Sequence, residues 1–166
     1  MTPHQAFEQY HRAVYSFSYR LTRRDDLAED ITQECFLALV RAPERFNAVR
    51  GTVKTYLFSI ARNLALKQYR DHRAEEPLED SEVPEIVDPR GSLEVSTAVA
   101  SAVADLPMLQ QEALILFEYE GATLEEIAQI VGADVGTVKS RLHRARERLR
   151  RTLAPHRKVG NAHGSV

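Results

Sequence analysis

Lys139, Ser140, Arg141, His143 and Arg144 fall within six consecutive positions. Cationic and hydroxyl groups packed this densely bond phosphate oxygens, and Arg or Lys also bonds the O6 and N7 edge of guanine. Gly136 and Thr137, immediately upstream, are small enough for a sugar–phosphate backbone to come close. The free N–H groups of a helix's first turn would add a further anion site. Arg146, Arg148, Arg150 and Arg151 extend the basic run. No constellation of nucleophile, base and acid stands beside it. Cys35 is the single cysteine and falls in an apolar seam, which assigns it as a structural thiol. The six histidines show no metal-ligand spacing, so neither a metal nor a cofactor is expected. These residue types predict a binding surface for nucleic acid and not an enzyme.

The flanking residues supply the scaffold. Thr123 and Glu126 have the spacing of a capping box. Leu124, Ile127, Ala128 and Val131 then form an apolar stripe, Gly132 suits a left-handed helix end, and Asp134 can cap the next helix. Val138, Leu142, Ala145 and Leu149 form the buried seam of that second helix. The pattern is a helix-turn-helix, which lays its second helix in the major groove. The competing reading is a helix hairpin with a solvated basic face. The capping box, the turn glycine and the nearly all-basic second helix argue against it.

Upstream, helical periodicity recurs and strand signals are absent, so the fold class is all-α. Phe7, Tyr10, Val14, Phe17 and Leu21 share one face of a first helix. Leu27, Ile31, Cys35 and Leu39 line a second, with Asp25 or Asp26 as its cap. Val53, Leu57, Ile60 and Leu64 line a third, running to about His72. Residues 74–92 hold three prolines and seven acids, the composition of a flexible linker. Helical spacing returns at Leu93, a further helix covers Leu109–Tyr119, and the chain after Pro155 reads as a frayed tail. The expected domains are therefore 1–73, a linker 74–92, a second module 93–155 and a disordered tail 156–166. Net charge is −2 over 166 residues, yet it is segregated: +3 over 1–75, −7 over 76–106, −6 over 107–134 and +8 over 135–166. Composition and the lack of any long apolar run exclude a disulfide scaffold and membrane insertion, and favour a cytoplasmic protein.

GATLEEIAQIVGADVGTVKSRLHRARERLRRTL resembles the C-terminal DNA-binding module of bacterial sigma factors of the extracytoplasmic-function (ECF) group. DLAEDITQECFLALVRAPERFN resembles that family's polymerase-binding helix, and TYLFSIARNLALKQYRDHRA its promoter-melting segment. The resemblance implies a sigma region 2 bundle of three or four helices and a sigma region 4 helix-turn-helix. It implies core RNA polymerase as partner, bound through the clamp helices by Asp30, Gln33, Glu34, Leu37 and Arg41. The apolar face around Leu114–Phe117 would dock on the flap tip. The −10 promoter element would be read by extruding a base into a pocket built from the loop Phe46–Gly51 and from Asn63. Phe46, Asn47, Arg50, Lys54, Tyr56, Asn63, Lys67 and Arg70 are the matching DNA-binding positions, and Arg62 can also follow the strand. Thr137, Lys139, Ser140, Arg141, His143 and Arg144 would read the −35 element. An anti-sigma factor is a further expected partner. The alternative function is a stand-alone helix-turn-helix transcriptional regulator, which would need a dimer surface or receiver domain.

Overall fold

Thr2 begins the first helix by exchanging bonds with Gln5: Gln5 N–H donates to Thr2 Oγ1 (3.1 Å) and Thr2 N–H to Gln5 Oε1 (2.9 Å). Pro3 then occupies the first helical position, where its missing N–H costs nothing. The computed structural model describes the backbone of residues 1–75 and 93–162 and the side chains of 1–71 and 97–154. Helix α1 covers Pro3–Thr22 and ends at Arg23, which adopts a left-handed φ of 59°. Helix α2 covers Asp25–Arg41. The expected aspartate cap is not made, because Arg24 takes the cap position and Asp25 and Asp26 enter the first turn. There they still meet the positive end of the helix dipole. The Arg24 guanidinium donates to Asp26 and holds that carboxyl below its usual range. A 3₁₀ turn at Pro43–Arg45 follows, then helix α3, Val53–Glu75. Thr52 starts α3 by accepting from the Thr55 N–H at 3.2 Å.

Helices α1–α3 form one bundle around Val14, Phe17, Ile31, Cys35, Leu39 and Leu57. Phe17 and Phe58 meet edge to face at 5.0 Å. Several expected core positions differ. Phe7 is 45% exposed, stacked on His11 and edge-on to Phe36. On α3 only Leu57 of the predicted seam is fully buried, whereas Phe58, Ala61, Ala65 and Leu66 are buried too. The reason is tertiary: α3 is covered by α1 and α2 on one side and by a helix of the C-terminal module on another.

Cys35 is fully buried, its Sγ 3.6 Å from the Leu57 carbonyl, and burial pushes its thiol up to about 12 from 9.0. Three pKa units mean about a thousandfold less thiolate at neutral pH, and the thiolate is the reactive species. An aromatic disulfide reagent at pH 8 should therefore label the native chain at least a hundredfold more slowly than the urea-unfolded chain. Rapid native labelling would contradict the packing.

The C-terminal module comprises α4 (Leu93–Ala104), α5 (Met108–Leu114), α6 (Leu124–Val131) and α7 (Val135–Ala162). The helix expected over Leu109–Tyr119 widens after Leu114 into a π-helical turn, Ile115–Tyr119, and Gly121 closes it at φ 65°. Leu114, Ile115 and Leu116 are buried in the core, so the apolar face expected to dock on the flap tip points inward. The exposed apolar side chains near it are Leu109 and Tyr119. Arg146 lies over the Phe117 ring (5.2 Å) and 3.5 Å from Glu118, tying α7 to the π turn. Helix α7 continues past Pro155 to Ala162, although Pro155 has no N–H to give to the helix ladder. The expected disordered tail thus begins inside a helix, and residues 163–166 lie outside those described. So does most of the predicted linker.

The two modules dock on one another. Arg62 of α3 donates through Nε (2.7 Å) and Nη2 (2.9 Å) to the Glu112 carboxylate of α5. Glu112 is wholly buried and the Arg62 side chain is 14% exposed. Removing one partner of such a pair strands a charge, typically at about 3–5 kcal/mol. Arg20 stacks over Tyr119 at 4.3 Å, and Arg23 Nη1 donates to the Ala100 carbonyl at 3.2 Å. Burial pushes the Glu120 carboxyl above its ordinary range, against the opposing pull of Arg20 and Lys54.

Candidate nucleic-acid interface

The helix-turn-helix forms as its capping residues dictate. Glu126 N–H donates to Thr123 Oγ1 at 3.1 Å and Thr123 N–H to Glu126 Oε1 at 2.9 Å. Gly132 ends α6 at φ 67°, a conformation costly for a residue with a Cβ. Asp134 starts α7 by accepting from the Thr137 N–H at 2.7 Å, and that bond lowers its carboxyl pKa. Val138, Leu142 and Ala145 are buried against α5 and α6, which leaves Lys139, Ser140, His143 and Arg144 exposed and Thr137 and Arg141 half-buried.

Thr137, Ser140, Arg141 and Arg144 line one open hollow of about 540 Å³, together with Leu109, Asp134 and Gly136. Lys139 and His143 lie one turn apart on the neighbouring stripe, outside the hollow. The expected −35 set is thus split between two faces of one helix end. Arg141 Nη1 is shielded from solvent and has no protein acceptor among the described residues. An unpaired buried donor is costly, and an incoming phosphate or guanine oxygen would satisfy it. Leu109 and Asp134 were not foreseen in this hollow. Leu109 comes from α5 and carries no local signal, whereas the capping role already placed Asp134 at the helix start.

A second cavity, about 320 Å³, opens at the start of α3. Phe46, Asn47, Arg50, Gly51 and Tyr56 line it, together with Arg45, Thr52, Thr55, Ser59 and Gln129. The Phe46 and Tyr56 rings sit 5.4 Å apart and tilted by 58°, both half-buried against the core. They form one aromatic wall, and the hydroxyls of Thr52, Thr55 and Ser59 form a polar one. Asn47 Oδ1 accepts from the Val49 N–H at 3.0 Å and shapes the loop. Asn63 does not line this cavity. It lies two turns beyond Tyr56 on the same exposed stripe of α3, which continues through Lys67 and Arg70. Lys54 turns away, its Nζ 5.6 Å from the Phe58 ring centre, and Arg62 is engaged by Glu112. The hydroxyl wall was not foreseen, although Thr52, Thr55 and Ser59 follow one another at steps of three and four into α3. Gln129 belongs to α6 of the other module, and nothing in the local sequence announces it.

On α2, Asp30, Gln33, Glu34, Leu37 and Arg41 are all exposed along one face, opposite Ala28, Ile31, Cys35 and Leu39. Val40, 59% exposed, adjoins Leu37 and enlarges the apolar centre of that face. Among the described residues no cluster of His, Cys, Asp and Glu is arranged to hold a metal ion, and no helix is long and apolar enough to cross a membrane.

Residues 6–75 match the family model of sigma-70 region 2, and residues 96–149 match that of sigma-70 region 4. The chain is 33% identical to the ECF RNA polymerase sigma factor SigE of Mycolicibacterium smegmatis, over 89% of its own length and 60% of that protein's. It is 32% identical to the ECF sigma factor SigM of Mycobacterium tuberculosis, over 90% of its length and 76% of the relative's. In structure it is similar to the sigma factor RpoE of Bartonella quintana, crystallised with the anti-sigma factor NepR. That pair has a TM-score of 0.74 at 29% identity, covering 90% of this chain and 95% of the other. With both family modules present in order, and a capping box, turn glycine and basic recognition helix in the second, the chain belongs to the sigma-70 family of RNA polymerase sigma factors, in its extracytoplasmic-function group.

Proposed function

We propose that the chain is a dissociable initiation subunit of RNA polymerase that reads the −10 and −35 promoter elements and assists DNA melting. The observation that carries this reading is the presence, in one chain, of two differently built sites. One is a helix-turn-helix with a basic hollow at its recognition helix. The other is an aromatic-and-hydroxyl cavity of a size to receive a single base. Duplex readout needs the first, and extruding a base for a few kcal/mol needs the second. The exposed face of α2 from Asp30 to Arg41 is the polymerase-docking surface in this reading.

The chain performs no covalent chemistry of its own and works in the cytoplasm. An anti-sigma factor is its regulatory partner, as NepR is for the Bartonella quintana protein. A stand-alone regulator is disfavoured, because it leaves the region 2 cavity and the α2 face without a task.

The test is run-off transcription with sigma-free core polymerase on the DNA upstream of the protein's own operon. A discrete start that depends on the chain is expected. Sequence-specific DNA binding without any programming of core would overturn the reading in favour of a stand-alone regulator.

A further inference from the structure

Among the described residues lining the hollow at the start of α7, Leu109 alone has a purely aliphatic side chain. It is 43% exposed and comes from α5, whereas the other lining residues belong to α7 or to its cap. A single exposed leucine on an open surface needs no explanation. This one stands among groups that bind DNA, and it changes what the hollow can bind. A branched aliphatic chain offers a phosphate no bond. Asp134 opposes a phosphate outright: its carboxylate accepts from the Thr137 N–H at 2.7 Å, a bond that favours the ionised form. Lys139 and His143, exposed on the stripe outside the hollow, are the groups left for the sugar–phosphate backbone.

A base edge fits the hollow better. In the major groove thymine presents an apolar group, its 5-methyl, and aliphatic side chains pack on it. The same hollow holds Arg141, whose Nη1 is shielded from solvent and has no protein acceptor among the described residues. Guanine O6 and N7 are acceptors of the right kind for it. Successive base pairs lie about 3.4 Å apart, so a hollow of about 540 Å³ covers only about two or three of them.

We propose that Leu109 is a specificity-determining residue of this hollow: it packs on the 5-methyl group of a thymine in the −35 element, within two base pairs of the guanine held by Arg141. The proposal rests on the functional reading above and names one base that the site selects. Its reader lies outside the recognition helix, brought to the groove by the packing of α5 on α7. One methyl group buried against an aliphatic chain is worth about fourfold in affinity. Uracil or cytosine at that position would leave Leu109 facing water.

The experiment uses the full chain. Duplexes are selected from a random pool, once with core polymerase and once by the chain alone. The enriched sequence is then rebuilt with each thymine in turn replaced by uracil, which removes the methyl and keeps the base pair. One such replacement should weaken wild-type binding about fourfold. It should lie within two base pairs of a guanine whose replacement by 7-deazaguanine also weakens binding. Leu109→Ala should bind the thymine duplex about fourfold less tightly and be indifferent to that uracil, yet it should still respond to 7-deazaguanine. Leu109→Met, which keeps an apolar reach, should retain most of the discrimination. Leu109 is exposed at the second position of α5 and alanine is a good helix former, so the variant should fold.

The proposal is overturned if no uracil weakens the wild type, or if Leu109→Ala keeps the full uracil effect. A fall in core affinity in Leu109→Ala would assign the residue to a polymerase contact and overturn it too. If a sequence is enriched with core polymerase but shows no methyl effect, the functional reading stands and the proposal falls. If a sequence is enriched only by the chain alone, the functional reading falls, and the uracil series on that sequence decides the proposal. Enrichment in neither pool overturns both.

Discussion

Leu37→Asp should strongly weaken binding to core polymerase while leaving the fold intact. Leu37 is 36% exposed and sits with Val40 at the centre of a face rimmed by Asp30, Gln33, Glu34 and Arg41. An apolar centre inside a polar rim is the usual layout of an interface hot spot, where truncation alone costs about 2–4 kcal/mol. A buried carboxylate in place of the leucine adds a desolvation penalty. The expected loss is about 30- to 1000-fold in affinity, with run-off transcription falling in step. The thermal midpoint should hardly move, because Ile31, Cys35 and Leu39, not Leu37, fill the core. Anisotropy titration against core polymerase, paired with a circular-dichroism melt, separates the outcomes. Unchanged core affinity would remove α2 from the interface, and a large drop in melting temperature would make Leu37 a structural residue.

Arg141→Ala with Arg144→Ala should cost promoter recognition and spare core binding. Both side chains line the hollow at the start of α7, and Arg141 Nη1 is buried without a protein acceptor. Each good base contact is worth about 1–3 kcal/mol, so the double variant should lose roughly 30-fold or more at promoters that need a −35 element. Removing an unsatisfied buried donor relieves a cost, so stability should hold or rise slightly. Each lost phosphate contact should also lower the salt dependence of binding by about one unit of slope. The measurement is promoter binding by the reconstituted holoenzyme across a salt series, with core affinity recorded in parallel. Equal losses in both would make the arginines structural.

The local devices of this fold were legible because each acts over three or four residues. Thr123 with Glu126, Gly132 and Asp134 do in the structure what their spacing predicts. The seam of α1 apart from Phe7, the seam of α2 and the exposed face of α2 follow from helical period. The cap of α2 was misread because two adjacent aspartates satisfy the same preference, and Arg24 instead uses one of them as a salt-bridge partner. The π turn at Ile115–Tyr119 carries no composition signal that separates it from α-helix. The breadth of burial on α3 was hidden because a helix's own period reports one face, and this helix is covered on two.

Sequence by itself determined that the chain is helical, that residues 123–153 build a helix-turn-helix, and that the charges fall into blocks of opposite sign. Propensity, capping and periodicity are properties of neighbours along the chain, so these features need no knowledge of the fold. Only the tertiary structure decided where the blocks meet. Arg62 finds Glu112 across 50 residues, and Gln129 reaches the cavity beside Gly51 from the other module. Such pairings depend on how two bundles dock. Docking is set by shape and charge summed over whole faces, which no short window of sequence contains.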